Sequence, residues 1–220
     1  MRIKFFLLLL LLGNSLAYAH DVAAADHEFL LSGGLWGYIW VGAKHMITGY
    51  DHLLFLIGVV FYLSKFSDII KFISAFTLGH SITLITATFL QIEVNEYLID
   101  AVIGFSVFYK GFENLGGFKT IHSKAPSLMM MVTLFGLIHG LGLSARLQSL
   151  HLGDEQVLLK ILSFNIGVEL GQVTALLPIV YVIKYLQARK AYNSLYKAIN
   201  TYLLLAGLVL VIYQLYRYFV

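Results

Sequence analysis

Cysteine is absent from this 220-residue sequence, and charged residues make up only 12% of it. Without cysteine the chain can form neither disulfides nor thiolate ligands, so a bound metal ion must be held by imidazole, carboxylate, amide or water. The redox compartment therefore cannot be inferred from cysteine usage. The sequence also lacks the GxxxxGK[ST] phosphate-binding motif, which is the usual signature of nucleotide-driven transport.

Apolar residues, by contrast, make up 59% of the chain, and the mean hydropathy is +0.81. Windows of about 20 mainly apolar residues, the length that crosses a bilayer, follow one another with short polar breaks. The composition predicts an all-α, polytopic membrane protein whose six transmembrane helices form one bundle in contact with lipid. The net charge of +3 is modest and its basic residues lie mostly in loops, so no nucleic acid is expected as a partner.

The N-terminal region has the three parts of a secretory signal peptide. Residues 1–19 contain a basic start, an apolar run and the small-x-small sequence Ala17-Tyr18-Ala19, which predicts cleavage before His20. An uncleaved anchor helix is the alternative. A mature chain beginning at His20 could capture a divalent cation through its free amine and ring, although a solvated tail explains the same residues.

Residues 20–48 predict a periplasmic tail and a short interfacial helix, because glycines interrupt an aromatic-rich apolar stretch there. Residues 49–220 predict the six-helix domain. Its spans are expected at about residues 49–64, 70–90, 96–113, 126–147, 156–183 and 195–218. With the mature N-terminus outside, most lysines lie in cytoplasmic loops and most acidic residues in external loops. This charge pattern predicts a bacterial inner-membrane protein with both termini in the periplasm.

Polar, ionisable side chains occur inside or beside four of these apolar segments. An aspartate costs about 3 kcal/mol at a bilayer centre, so such groups persist where they find partners or water. We expect them to face one internal cavity and to form a metal or proton site, although a single intramembrane histidine is often only a packing residue. The candidate ligands are His45, Asp51, His52, His80, His139 and Glu169.

Other polar residues near these candidates could orient their rings through hydrogen bonds. They are Ser81, Thr83, Asn165 and Gln172. The spacing of Asn165, Glu169 and Gln172 puts the three on one helix face, which is expected to point inward. Glu113 and Asn114, at the far end of the third span, are either an inner gate for a cation or part of an ion pair with a nearby lysine.

Five motifs, in order along residues 45–172, resemble those of the HupE/UreJ family of small membrane proteins. They are His45-x5-Asp51-His52, Phe76-Thr-x-x-His80-Ser-x-Thr, Glu113-Asn114, Phe135-Gly-Leu-x-His139-Gly-x-Gly and Phe164-Asn-x-Gly-Val-Glu169-Leu-Gly-Gln172. The resemblance implies secondary transport of nickel or cobalt. The chain departs from hydrogenase-linked members at its Ala-His20-Asp start, where those have His followed by Pro.

Two functions from different classes fit this ligand set. The first is a permease that takes up a divalent transition metal, with nickel favoured and cobalt, iron or zinc also compatible with the ligands. The membrane potential or a cytosolic metallochaperone would then drive uptake. The second is an intramembrane zinc-type hydrolase or lipid-modifying enzyme, whose metal-bound water attacks an ester or amide. A third reading has the histidines only joining helices.

Overall fold

The computed structural model describes residues 29–30, 32–61, 63, 65–149 and 156–220, and it contains helices but no strand within those ranges. The predicted signal peptide and His20 lie outside them. The helices are α1 Gly34–Thr48, α2 Tyr50–Val60, α3 Phe66–Phe89, α4 Glu96–Asn114, α5 Gly117–Thr120, α6 Leu128–Ser149, α7 Val157–Gln187 and α8 Tyr192–Phe219. The all-helical prediction is therefore confirmed for the described part of the chain.

Four of these helices are long and apolar enough to cross a membrane. The spans are Ser67–Phe89, Leu128–Ala145, Val157–Gln187 and Tyr192–Phe219. Helix α2 is apolar but has only 11 residues, and α4 has 19 residues with a more polar composition. Asn95 precedes helix α4 as its N-cap residue, and its side-chain oxygen accepts hydrogen bonds from the backbone N–H groups of Tyr97 and Leu98.

Three helix pairs make the longest contacts: α3 with α6, α4 with α8, and α1 with α7. Helices α3 and α6 run in the same direction, because Gly136 lies against Phe76 and Gly140 against His80. Helix α7 runs opposite to α3, since Thr77 bonds to Gln172 and His80 to Asn165. These pairs hold the polar residues of α3, α6 and α7 at one depth in the bundle.

Helix α1 lies along α7, with small residues on both contacting faces. A Cβ atom on Gly42 would overlap the carbonyl oxygen of Phe164, and one on Gly167 would overlap that of Ile39. Such close approach of backbones is the usual role of glycine between membrane helices. The sequence predicted a short interfacial helix for this stretch, and in the structure α1 packs lengthwise against α7.

Candidate metal site

A break between two helices organises the site. Helix α1 ends at Thr48, Gly49 adopts an extended conformation (φ −68°, ψ 103°), and α2 begins at Tyr50. This bend carries His45 on one side and Asp51 with His52 on the other. Free carbonyl groups at the end of α1 favour a cation, while the positive end of α2 favours the Asp51 carboxylate.

The bend meets His139 of α6. One candidate ligand atom from each of Asp51, His52 and His139 lies within 4.8 Å of the others, and all three residues are buried. The ring centres of His52 and His139 are 4.8 Å apart, and those of His45 and His52 are 5.0 Å apart. Two imidazoles on one tetrahedral ion, with metal–nitrogen bonds of 2.0–2.1 Å, hold their ring centres about 5 Å apart. We call His45, Asp51, His52 and His139 the histidine cluster.

Hydrogen bonds fix which ring nitrogens face the cluster. Nδ1 of His139 donates to the carbonyl oxygen of Phe135 at 2.6 Å, because a carbonyl can only accept. This leaves the lone pair on Nε2, which is buried and makes no hydrogen bond to the described residues. Nδ1 of His52 lies 2.9 Å from a carboxylate oxygen of Asp51. Histidines that bind metals usually donate their second N–H to a carboxylate or carbonyl in this way.

A small cavity opens beside the cluster. It is lined by His45, His52, Asp100, Ile103, His139, Gly142 and Leu143, and the volume open to the centre of a water molecule is about 10 Å³. That is room for about one water molecule or one ion. The cavity also brings to the site a carboxylate that was not among the candidate ligands.

This carboxylate belongs to Asp100, in the second turn of α4. Asp100 is only 8% exposed, and the side-chain amide Nε2 of Gln214 on α8 donates a hydrogen bond to one of its carboxylate oxygens at 3.4 Å. A lone aspartate near a span boundary resembles any loop acid in the sequence. Its spacing from Ile103 and Val107, which are buried on the same face of α4, was the available sign that it points inward.

His80 is buried near the cluster, and Phe76 contacts both its ring and the ring of His139. Nδ1 of His80 lies 2.9 Å from the side-chain oxygen of Asn165, and its ring stacks on Phe76. Asn165 thus has the orienting contact that the sequence suggested. The three-residue group that could hold one ion does not include His80.

The other residues expected to orient the rings, Ser81, Thr83 and Gln172, make no hydrogen bond to the cluster histidines in the described part of the chain. Gln172 accepts from Thr77 at 3.2 Å, and Thr83 donates to the carbonyl of Leu137 at 2.6 Å. Ser81 is half-buried. Gln172 and Thr83 therefore join α3 to α7 and α6.

Glu169 lies outside the cluster, on the exposed face of α7. The expectation that Asn165, Glu169 and Gln172 share an inward face differs from the structure, which buries only Asn165 and Gln172. The reason is the position of α1. Helix α1 packs on Gly167 and Gly171. The middle of the buried face of α7 therefore lies to one side of Asn165, and Glu169 lies to the other side.

Glu113 and Asn114 belong to a second buried polar group, which we call the lysine layer together with Lys110 and Asn200. The Lys110 ammonium lies 2.5 Å from a Glu113 carboxylate oxygen, and Lys110 is only 1% exposed. Asn114 donates to the carbonyl of Gly58 at 2.9 Å and to the side-chain oxygen of Asn200 at 2.6 Å. The ten residues from Asp100 to Lys110 on α4 separate this layer from the cluster by about 15 Å.

Aromatic rings fill the space between the two polar groups. Phe55 lies one turn beyond His52 on α2, and its ring centre is 5.4 Å from that of Phe135 and 6.4 Å from that of Phe76. Tyr109, beside Lys110, contacts Phe135 at 5.9 Å. We call Phe55, Phe76, Phe135 and Tyr109 the aromatic layer. It closes the lysine-layer side of the histidine cluster with apolar surface.

These features define a multi-pass helical membrane protein with a buried histidine and carboxylate cluster at a broken helix. Residues 23–220 match the family model described as HupE / UreJ protein, so the chain belongs to the HupE/UreJ family, as the motifs indicated. The family is associated with nickel and cobalt transport. Comparisons with curated proteins and with solved structures gave no match.

Proposed function

We propose that this protein is a secondary permease for a divalent transition metal, and that the histidine cluster binds the ion in transit. Nickel is the first candidate cargo, followed by cobalt and iron. The observation that carries the proposal is the Nδ1 bond of His139 to the Phe135 carbonyl, which leaves a buried Nε2 lone pair beside Asp51 and His52 with no hydrogen bond to the described residues. Imidazole and carboxylate without thiolate suit these metals.

The broken helix favours transport over a static metal site. Helices interrupted near the middle of the membrane are a common feature of secondary transporters, where half-helix ends contact the substrate. Here the break at Gly49 lies next to His52 and Asp51, level with His139 at the middle of α6. We infer that α1 and α2 together form one broken crossing and that α4 forms a second, continuous crossing. With α3, α6, α7 and α8 these make six crossings.

We propose uptake as the direction of transport, and the inferred six-crossing topology gives the orientation of the bundle. The side of the cluster that lies nearer the start of α4 would face the periplasm of an inner membrane, with the predicted signal peptide removed. Asp100 and His45 line the cavity on that side and would attract and partly dehydrate the incoming cation. Lys65, Lys71 and Lys119 lie toward the opposite end and are exposed, which agrees with the excess of basic residues on the cytoplasmic side.

Passage toward the cytoplasm requires the aromatic layer and then the lysine layer to open. The Lys110 ammonium is a cation already bound by Glu113, so a travelling metal ion would have to replace it there. Asn114 Oδ1 is buried and makes no hydrogen bond to the described residues, which offers a second oxygen at this level. Glu113 and Asn114 are thus proposed as the inner gate, with Lys110 keeping it closed between transport events.

An intramembrane zinc-dependent hydrolase is the second candidate. The observation in its favour is the cavity beside His52 and His139, which has room for about one water molecule. Zinc with three protein ligands and a water is the usual hydrolytic centre. A hydrolase does not require the closed aromatic layer or the broken helix. A permease that opens to one side of the membrane at a time requires a layer that closes and a helix that can bend.

Metal entry into proteoliposomes separates these functions. Purified protein is reconstituted into proteoliposomes, and Ni²⁺, Co²⁺, Fe²⁺ or Zn²⁺ is added to the external solution. Metal that enters the vesicles and metal that stays bound to the protein are measured on the same preparation. The test variant is the double substitution His52→Ala, His139→Ala, and the matched control is His122→Ala, in an exposed loop. Entry of nickel that only the double variant abolishes supports the permease. Bound metal at one per chain without entry supports the enzyme, and absence of bound metal contradicts both.

A further inference from the structure

Glu169 is an ionisable residue that lies outside the histidine cluster, and its surroundings call for a partner. Within the four candidate spans, no other Asp, Glu, Lys or Arg is more than eight residues from a span end. The bonds from Thr77 to Gln172 and from His80 to Asn165 put Glu169 level with the middle of α3. Its carboxylate makes no hydrogen bond or ion pair with the described residues. An acidic group exposed to lipid at this depth costs about 3 kcal/mol.

The exposed face around Glu169 has the pattern of a helix-pairing seam. Leu162, Ile166, Glu169 and Val173 follow one another at intervals of four, three and four residues, and each is exposed. This is the 3,4 spacing by which two helices pack along a left-handed crossing. A single polar residue in such a seam fixes the alignment and the number of helices. The groove beside it, between α3 and α7, is lined by apolar residues except for Ser74 and Glu169.

We propose that this seam is the interface of a homodimer in which α7 of one copy packs in parallel on α7 of a second copy. Two copies inserted in the same orientation are related by an axis along the membrane normal, so each Glu169 meets its counterpart at the same depth. A protonated carboxyl group has both a hydrogen-bond donor and acceptors. It can therefore hydrogen-bond to the same carboxyl group of the second copy, whereas a lysine or arginine side chain cannot pair with itself in this way.

The absence of cysteine from the chain allows a direct test by single-cysteine cross-linking. Ile166→Cys and Val173→Cys put thiols on the seam, and Val209→Cys puts one on a still more exposed position of α8. Disulfides form where Cα atoms come within about 7 Å. Mild oxidation of the full chain in native membranes should yield disulfide-linked dimers for the two seam variants and monomers for Val209→Cys.

The role of the carboxyl group is tested in the Ile166→Cys background. Glu169→Leu should lower the dimer yield about tenfold, since interhelical hydrogen bonds of model membrane peptides correspond to roughly that factor. Glu169→Gln keeps a donor and an acceptor and should preserve most of the yield. Helical content and a monodisperse elution profile check that each variant folds.

Several outcomes would overturn the homodimer. Cross-linking of Val209→Cys at the same rate would indicate random collision, and a lack of dimers for both seam positions would show that this face meets lipid or a different protein. An unchanged dimer yield with Glu169→Leu would show that the carboxyl group does not contribute to the interface. None of these results depends on which metal the histidine cluster binds.

Discussion

At the scale of single residues, hydrogen bonding decides which histidine nitrogens can bind a cation. His139 is held through Nδ1 by a backbone carbonyl, and His52 is held through Nδ1 by the Asp51 carboxylate. Both rings are therefore fixed without using Nε2. A carboxylate behind an imidazole also makes the ring a stronger ligand.

The role of Asp51 can be measured with Asp51→Asn. The amide still accepts a hydrogen bond from His52 but has lost its charge, so we expect nickel affinity to fall about 10- to 100-fold. Isothermal titration of the purified protein in detergent gives the dissociation constant. The matched control, Glu93→Gln in an exposed loop, should leave it unchanged. Equal affinities for wild type and Asp51→Asn would show that this carboxylate takes no part.

Lys110 and Glu113 form a buried ion pair, and its loss should lower stability. Lys110→Met leaves the Glu113 carboxylate buried without its counter-ion, which we expect to reduce the free energy of unfolding by about 3–5 kcal/mol. The double variant Lys110→Met, Glu113→Gln should recover most of that loss because no charge remains buried. Denaturant unfolding in detergent measures both, with exposed Lys119→Met as the control. A Lys110→Met variant as stable as the control would contradict the pairing.

At the scale of elements, the break at Gly49 joins the fold to the site. Its φ of −68° is accessible to any residue, so backbone conformation does not explain the glycine. A Cβ atom there would lie 2.6 Å from Nδ1 of His52 and 3.3 Å from a carboxylate oxygen of Asp51. The glycine is needed because the two site residues fold back over it.

Gly49→Ala should therefore damage the site while keeping the fold. The methyl group displaces the His52 ring, and we expect at least about tenfold weaker nickel binding with unchanged helical content by circular dichroism. The neighbouring Thr48→Ala, an exposed position in the same bend, serves as the control and should bind nickel normally. Loss of helical content in Gly49→Ala would instead indicate that the glycine is required for folding.

The same scale explains why helix faces were only partly predictable. The sequence spacing places Asn165, Glu169 and Gln172 within an arc of about 60° on the surface of α7. The width and direction of the buried face, however, depend on where the neighbouring helices pack. Contacts of α1 with Gly167 and Gly171 rotate α7 enough to expose Glu169. The pattern of polar residues alone does not contain that rotation.

At the scale of the whole molecule, the interior has three levels: the histidine cluster, the aromatic layer and the lysine layer. A cation bound at the first level stabilises the folded protein but not the unfolded chain. This linkage gives a test that needs no transport assay.

Nickel at about 100 times its dissociation constant should add about 2.7 kcal/mol to the free energy of unfolding. The measurement is thermal unfolding of wild type and of the double variant His52→Ala, His139→Ala, each with and without nickel. The double variant should show no stabilisation, and Mg²⁺, which prefers oxygen ligands, should stabilise neither protein. An equal nickel effect on both proteins would place binding elsewhere.

The sequence by itself determined the class of the protein and its family, and its candidate ligands included all four residues of the histidine cluster. Long apolar runs must be helical in a membrane, because backbone groups in lipid can only bond within their own segment, and buried histidines there need partners wherever they lie. Only the tertiary structure decided which polar residues meet. The bend at Gly49 joins His45 to His52, α4 turns Asp100 into the cavity, and α1 leaves Glu169 exposed. These outcomes depend on how helices rotate against each other, which side-chain contacts between distant segments set.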